Sequence, residues 1–597
     1  MTHPHRWPRA AHKIAPNGAL FPDISYYWLD CTERSRPFPT NPPKVRNRPV
    51  RFIDSLSGAE VICTAFLRNA QKEADVYKKV FKNASCATVV TDYAKITRKK
   101  RELCYTLNTT AERKEVKTVN RQAVNPYLPS WEYIPDGEPH VFNGRVYVYG
   151  SHDRFNAPIF CVNDYVCWSA PVEDLSDWRY EGVIYRKKQD PKNPLGYHLL
   201  FAPDVCQGPD GRYYLYYAFD FLGIMGVAVC DTPAGEYEFL GHIHYADGTL
   251  WGRRREDQLP FDPGVLADDD GRVWLYSGFY NAVPAILTGG RKLRCDGGTV
   301  LELEKDMVTI KTEPRVIFPK KGPGAFQGHE FFEASSIRKE GKTYIFVYSS
   351  RHNHELCYAT SQSPDRDFSY GGTLVSQGDI FLDSNLSEKH AANYLGNTHG
   401  GLLKLEDNWY VFYHRQTNRH SYSRQACAEK LRRNENGAFL QAEVTSCGLN
   451  DGPLKGKGRY EARIACNLWG KNGTGRYDGP FPKWRLRNHP YFTQDGPDRE
   501  NSGNQYIANM RDGAVAGFKY FAFKDAAEIK VHCTGSANGR LQVSTAPDFS
   551  TLCADIFIKN GSQVGEKVTL TIPDGTYPLY FRFTGSGKMN FHWFELQ

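Results

Sequence analysis

Three acidic residues stand in settings that suit chemistry rather than solvation. Asp136 lies in YIPDGEP, Asp262 in LPFDPGV and Glu333 in HEFFEASSI. Each is flanked by Pro or Phe, surroundings that strip water from a carboxyl and raise its pKa. A protonated carboxyl near an ionised one is what cleavage of a glycosidic bond needs. The first protonates the leaving oxygen, and the second activates water or attacks the sugar. A third carboxylate nearby raises the acid's pKa by like-charge repulsion and holds it in place. Taken singly, an Asp before Pro or Gly is most often a turn residue, and Asp210 and Asp268-Asp269-Asp270 read that way. The sequence offers no GxSxG, P-loop, HExxH or dinucleotide fingerprint as a rival.

What sets the three apart is a shared phase in a repeat. An aromatic strand after a hairpin-type turn recurs five times: NGRVYVYGSHD from Asn143, DGRYYLYYAFD from Asp210, DGRVWLYSGFY from Asp270, EGKTYIFVYSS from Glu340 and EDNWYVFYHRQ from Glu406. The starts are about 65 residues apart, the length of a blade of four short strands. Between them run strands ending in Ser-Pro or Thr-Pro turns, such as GVAVCDTPAGEYE from Gly226. The pattern predicts an all-β, five-bladed β-propeller over 124–450. Asp136, Asp262 and Glu333 each precede their aromatic strand by a similar short offset, so all three are expected to face the centre.

After residue 450 the texture changes. Residues 451–483, Gly-rich with short strands, read as a linker. Residues 484–597 alternate in short strands such as KVTLTIP and YPLYFRFTG, which predicts a β-sandwich. Residues 1–123 are Pro-rich and basic and fit neither block. They hold 23 Lys+Arg against 11 Asp+Glu, so the net +8 of the 597-residue chain arises there. They are expected to be a poorly ordered extension, and the Arg98-Lys99-Lys100-Arg101 run reads as a solvated stretch, not a nucleic-acid site. No run of 18 apolar residues predicts a membrane span. The 15 scattered Cys lack a CxxC pair, and the N-terminus lacks an apolar leader. Reduced thiols in the cytoplasm are expected.

The residues also resemble a known family. NPYLPSWEYIPDGEP (125–139) followed by YVYGSHD resembles the opening of glycoside hydrolase family 43. YHLLFAPDV (197–205), FDPGV (261–265), FFEASS (331–336) and NTHG (397–400) match its later motifs in order. The stretch from PYFTQDG (490–496) onward is similar to carbohydrate-binding module family 6. The first resemblance implies an inverting mechanism with Asp136 as general base, Glu333 as general acid and Asp262 as the residue that tunes Glu333. It places His399 at the channel centre, beside a bound calcium or its waters, although a lone His is more often a hydrogen-bonding core residue. It places Arg424 near the acid, where a surface arginine is an equal reading. Trp131, Phe332 and Tyr394 are candidate walls of a sugar pocket, with blade packing as the competing reading. Tyr520, Phe521 and Trp593 are candidates for sugar contact in the second block. The substrate implied is an arabinose- or xylose-containing oligosaccharide, cut by an α-L-arabinofuranosidase or β-xylosidase type of activity with no required cofactor. A galactofuranosidase of the same family, a propeller that binds sugar without cleaving it and a protein-interaction propeller are the alternatives.

Overall fold

A computed structural model describes residues 121–597, apart from 383–384, 479–485, 500–502, 561–562 and 565–566. The expected basic extension, save residues 121–123, lies outside the described residues. Within them, helix is confined to single 3-10 turns such as Lys187–Gln189.

The repeat folds as five four-stranded antiparallel sheets in chain order. Sheet I comprises Glu138–Phe142, Arg145–Tyr149, Tyr165–Pro171 and Arg179–Tyr185. Sheet II comprises Leu200–Gln207, Tyr213–Phe219, Met225–Cys230 and Glu238–His242. Sheet III comprises Gly264–Ala267, Val273–Gly278, Gly297–Leu303 and Arg315–Pro319. Sheet IV comprises Phe331–Glu340, Thr343–Ser350, Glu355–Ser361 and Ser369–Ser376. Sheet V comprises Leu402–Leu405, Asn408–Thr417, His420–Arg433 and Phe439–Leu440. The turn opening sheet I shows how local chemistry sets register. Phe142 pairs with Arg145, leaving Asn143 and Gly144 as a two-residue loop with φ of 51° and 75°. Both values are positive, as a type I′ hairpin demands, and Asn-Gly meets that demand with least strain.

The second strand of each sheet is the aromatic repeat, and its alternate residues face opposite neighbours. Tyr147 and Tyr149 of sheet I pack on Leu215 and Tyr217 of sheet II. Tyr214 and Tyr216 turn the other way, onto Val273 and Leu275 of sheet III. Trp274 and Tyr276 meet Phe346 and Tyr348 of sheet IV, while Ile345 and Val347 meet Trp409 and Val411 of sheet V. Tyr410 and Phe412 then pack on Val146 and Val148, back on sheet I. Burial on both faces is why these strands read as nearly continuous apolar runs instead of alternating with polar residues. The first strands bring the sheets together at their other side. Gly137 bridges to Gly400, and Arg338 of sheet IV donates to the Leu402 carbonyl of sheet V at 2.8 Å. A Cβ at Gly401 would stand 2.3 Å from the Glu138 carboxylate, so that approach requires glycine.

Two further sheets follow. Sheet VI orders Leu454–Lys455, Val515–Phe523, Gly575–Ser586, Asn538–Ser544 and Leu552–Ile558, with Asn467–Trp469 added to Val515–Phe523. Sheet VII includes Tyr491–Thr493, Tyr506–Met510, Met589–Leu596 and Glu528–Gly535, with Gly458–Glu461 added to Met589–Leu596. Phe518, Leu541 and Phe581 of sheet VI share one core with Ile507, Val531, Phe591 and Phe594 of sheet VII. The expected linker, 451–483, is therefore not a linker over its described length. Its strands pair into both sheets, and Leu454, Tyr460, Ile464 and Leu468 are buried in their shared core. The Gly-rich composition that suggested a connector reflects short strands ending in turns. Phe521 is fully buried there, and Arg459 lies 4.1 Å over the Trp593 ring. Tyr520 is half-buried and donates to Glu443 at 2.9 Å. Packing, not an open sugar platform, accounts for Phe521 and for the covered face of Trp593.

Candidate active site

The three acids sit at the start of first strands. Asp136 lies just before Glu138–Phe142, Asp262 just before Gly264–Ala267, and Glu333 within Phe331–Glu340. Asp136 and Asp262 have left-handed backbone, with φ of 59° and 48°. Such a conformation costs a non-glycine residue about 1 kcal/mol or more, and it concentrates where a side chain must be aimed. At Glu333 the pairing register shifts on both sides and Ala334 has φ of 69°, a bulge that re-aims the side chain. The Ala334 N–H donates to Asp262 Oδ2 at 3.2 Å, tying sheet IV to sheet III at the acids.

Asp136 is buried at 4% exposure, and burial alone would raise its carboxyl. Arg424 reverses that. Its Nη1 donates to Asp136 Oδ1 at 2.8 Å, and its charge holds the carboxyl far below the usual range. His414 is neutral: burial lowers its pKa, Nδ1 accepts the Asp136 N–H and Nε2 faces the Asn397 carbonyl at 2.8 Å. Glu333 has no such cation. Burial, then the adjacent Asp262 charge, push its carboxyl well above the ordinary value. Asp262 is itself raised by burial, against the opposing pull of His399. Burial would lower the His399 pKa, but Asp262 (3.5 Å from Nδ1) and the charges of Asp136 and Glu138 lift it to about 9. The site thus drives its two carboxyls apart, Asp136 toward the ionised form and Glu333 toward the protonated form, the division that general acid–base hydrolysis requires.

Aromatic rings link these groups. Phe160 lies with its ring 4.8 Å from the Arg424 guanidinium, edge-on to Tyr422 at 4.7 Å. Phe201 continues the line 6.4 Å from Phe160 and 5.8 Å from Phe261, the residue before Asp262. Phe279 then meets both Phe261 and Phe332, the residue before Glu333, at 4.9 and 5.5 Å. Phe332 is therefore brought beside the acids. Trp131 packs instead on Trp168 and under Arg499. Tyr394 is a correction. It is buried at 5%, stacks on Tyr477 at 4.9 Å and belongs to the core of sheets VI and VII. Its aromatic ring alone made it a candidate wall, and the fold carries it onto the C-terminal sheets. Arg424 is not a surface residue, being 2% exposed.

Asp153, His414, Phe160 and Arg338 escaped the sequence reading. Asp153 ends the YVYGSHD repeat and His414 lies in FYHRQ, so their phase in the repeat was the available signal. Below the acids, Glu138 Oε2 accepts from Arg338 at 2.8 Å and Ser336 at 2.9 Å. Glu138 Oε1 and His399 Nε2 lie 3.9 Å apart, both buried and without a hydrogen-bond partner.

The family model for glycosyl hydrolases family 43 matches residues 136–439. A protein of Thermoclostridium stercorarium named "Xylosidase/arabinosidase" is 50% identical over 483 residues, 80% of this chain and 99% of the relative. One of that name from Bacteroides ovatus is 28% identical over 48% of this chain and 87% of its own length. "Xylosidase/arabinosidase 43A" of Humicola insolens is 30% identical over 47% and 88%. The family match begins at Asp136 itself and takes in Asp262, Glu333 and Arg424, so the chain belongs to the glycosyl hydrolases of family 43 and is a glycosidase.

Proposed function

We propose that the protein hydrolyses glycosidic bonds with inversion, releasing xylose or arabinofuranose from short oligosaccharides. The observation that carries this is the asymmetry of two buried carboxyls in one site: Arg424 donates to Asp136 at 2.8 Å, whereas Glu333 lies beside Asp262 and forms no ion pair among the described residues, so the two are driven toward opposite protonation. Asp136 is the general base that takes a proton from the attacking water. Glu333 is the general acid that gives its proton to the leaving oxygen. Asp262, by its charge, keeps Glu333 protonated between turnovers. In an inverting enzyme the two carboxyls stand roughly 6.5–9.5 Å apart, room for that water. The half-buried Phe160, Phe201 and Phe332 supply apolar faces for a sugar ring. The choice of sugar follows the names carried by the relatives.

The five sheets, each packed on the next and the fifth on the first, fit the blades of a five-bladed propeller, with the acids at its centre. Sheets VI and VII fit a β-sandwich similar to carbohydrate-binding module family 6. A calcium ion at Glu138 Oε1 would draw most of its six to eight oxygen ligands from water, and His399, its pKa lifted to about 9 beside these carboxylates, would give up its proton to accommodate it. Such an ion would supply positive charge at the floor of the site. The described cysteines are all free thiols, which supports a reducing, cytoplasmic location.

The test is release of 4-nitrophenol from α-L-arabinofuranoside, β-D-xyloside and β-D-galactofuranoside, with the anomer of the first sugar product followed by NMR. Turnover of the first or second with an inverted product supports the reading. A retained anomer overturns the mechanism, and turnover of the galactofuranoside alone overturns the substrate.

A further inference from the structure

Asp136 depends on Arg424, and Arg424 depends on Asp153. Asp153 Oδ2 accepts from the Arg424 backbone N–H at 3.0 Å and from Nε at 2.8 Å, and Oδ1 accepts from Nη2 at 3.0 Å. Asp153 opens a loop, 153–163, that curls back on itself. The Cys161 N–H donates to Asp153 Oδ1 at 3.0 Å, and Asn163 Nδ2 donates to the Asp153 carbonyl at 3.1 Å. At its tip, Phe160 covers the Arg424 guanidinium. The loop contains two left-handed non-glycine residues, Asn156 and Cys161, at φ of 58° and 55°. A loop so strained keeps its shape only where its surroundings fix it.

Ser423 of sheet V holds the middle of the loop, its Oγ accepting from the Asn156 N–H at 2.9 Å, and the C-terminal sheets hold its two ends. Beyond the strand Tyr491–Thr493 the chain crosses to the loop, where Asp498 clamps both ends. Its Oδ1 accepts from the Phe155 N–H at 2.8 Å, and its Oδ2 accepts from Asn163 Nδ2 at 3.3 Å. The same segment is anchored on either side. The Asn418 N–H donates to the Phe492 carbonyl at 2.8 Å, and Asn418 Nδ2 reaches Asn156 Oδ1 at 2.9 Å. The Tyr133 hydroxyl donates to Gln494 Oε1 at 2.5 Å. Arg499 lies over Tyr180 at 4.6 Å and 3.7 Å from Glu132.

We propose that Asp498 is a positioning residue for hydrolysis: by holding loop 153–163 it fixes Asp153, through Asp153 the guanidinium of Arg424, and through Arg424 the base Asp136. The C-terminal sheets are then part of the hydrolytic apparatus, whether or not they bind sugar. The inference rests on the reading of Asp136 as base.

The experiment compares kcat on an aryl glycoside for the full chain and for Asp498→Ala, Asp498→Asn, Asn163→Ala and the Asp498→Ala/Asn163→Ala pair, with thermal midpoints for each. Asp136→Asn runs beside them. A sub-ångström to ångström shift of a reacting group costs roughly ten- to a hundredfold in rate. Asp498→Ala is therefore expected to lower kcat about tenfold at the wild-type midpoint. Asp498→Asn keeps an acceptor oxygen for the Phe155 N–H and restores most of the rate. The double variant loses no more than the worse single one, because both act through one loop. Wild-type kcat in Asp498→Ala, or a loss that tracks a fallen midpoint and is not restored by Asn, overturns the proposal. Should Asp136→Asn keep its activity, the reading of the base fails instead, a result distinguishable from failure of the clamp.

Discussion

Glu333→Gln removes one proton and almost no volume, so it isolates acid catalysis from packing. In the site, burial and the Asp262 charge push the Glu333 carboxyl toward its protonated form. The groups around it offer no substitute: Asp136 is ionised and His399 is engaged with Asp262. A positioned general acid is worth about 10²–10⁴ in rate, which at 1.36 kcal/mol per decade is about 3–5 kcal/mol of barrier. The full loss is expected where the leaving group is a sugar alkoxide, because that oxygen cannot depart unprotonated. With 4-nitrophenolate, a stable anion, the loss should be under about tenfold. The assay is initial rate on a xylo- or arabino-oligosaccharide against the matching aryl glycoside, over a range of pH. A carboxyl whose active form is protonated loses activity as pH rises through its pKa, so the basic limb of kcat/KM belongs to Glu333 and disappears in the variant. Equal losses on both substrates, with the basic limb kept, would refute the assignment.

Asp136→Asn should cost about 10²–10⁴ on both substrates alike, since water attack needs the base whatever the leaving group; activity that survives on the aryl glycoside contradicts the role. Arg424→Lys cannot keep both the fork on Asp153 and the Nη1 bond that overrides burial at Asp136. The base works ionised and loses activity as pH falls through its pKa, so the acid limb of kcat/KM should move to higher pH, and an unmoved limb counts against Arg424 as the cause. Lys519 is buried with Asp379 at 3.0 Å and Glu443 at 2.7 Å; Lys519→Met leaves Asp379 uncompensated and should destabilise by about 3–5 kcal/mol in urea unfolding. Tyr394→Phe deletes a buried hydroxyl that has no hydrogen-bond partner; KM should stay at the wild-type value with stability equal or higher, whereas a raised KM would restore Tyr394 to the sugar pocket.

The elements were legible where local chemistry decides them. The five aromatic repeats became the second strands of five sheets, and the phase of Asp136, Asp262 and Glu333 put each at the head of a first strand. Legibility failed where partners come from far along the chain. Residues 451–483 looked like a connector because two- to four-residue strands carry little periodicity, yet they pair with strands far along the chain, Asn467 with Gly517 and Tyr460 with Phe594. Tyr394 looked like a pocket wall because only the fold shows that it stacks on Tyr477. Phe160 lies in a loop with no strand pattern, and nothing local reveals that it covers Arg424.

The same limit explains why the sequence could nominate the acids but not divide their labour by its own chemistry. Hydrophobic flanks predict that each carboxyl is desolvated, and desolvation alone would raise all three. Yet Asp136 ends far below its ordinary value and Glu333 far above. The difference is one guanidinium, which bonds Asp136 directly from 288 positions away but acts on Glu333 only weakly, behind the opposing charge of Asp262. Burial therefore sets how strongly the site responds to a charge, and under the proposed mechanism the placement of Arg424 sets which carboxyl gives a proton and which receives one. Whatever fixes Arg424 consequently fixes the direction of proton flow, and in this chain that includes Asp153 on one side and the C-terminal Asp498 behind it.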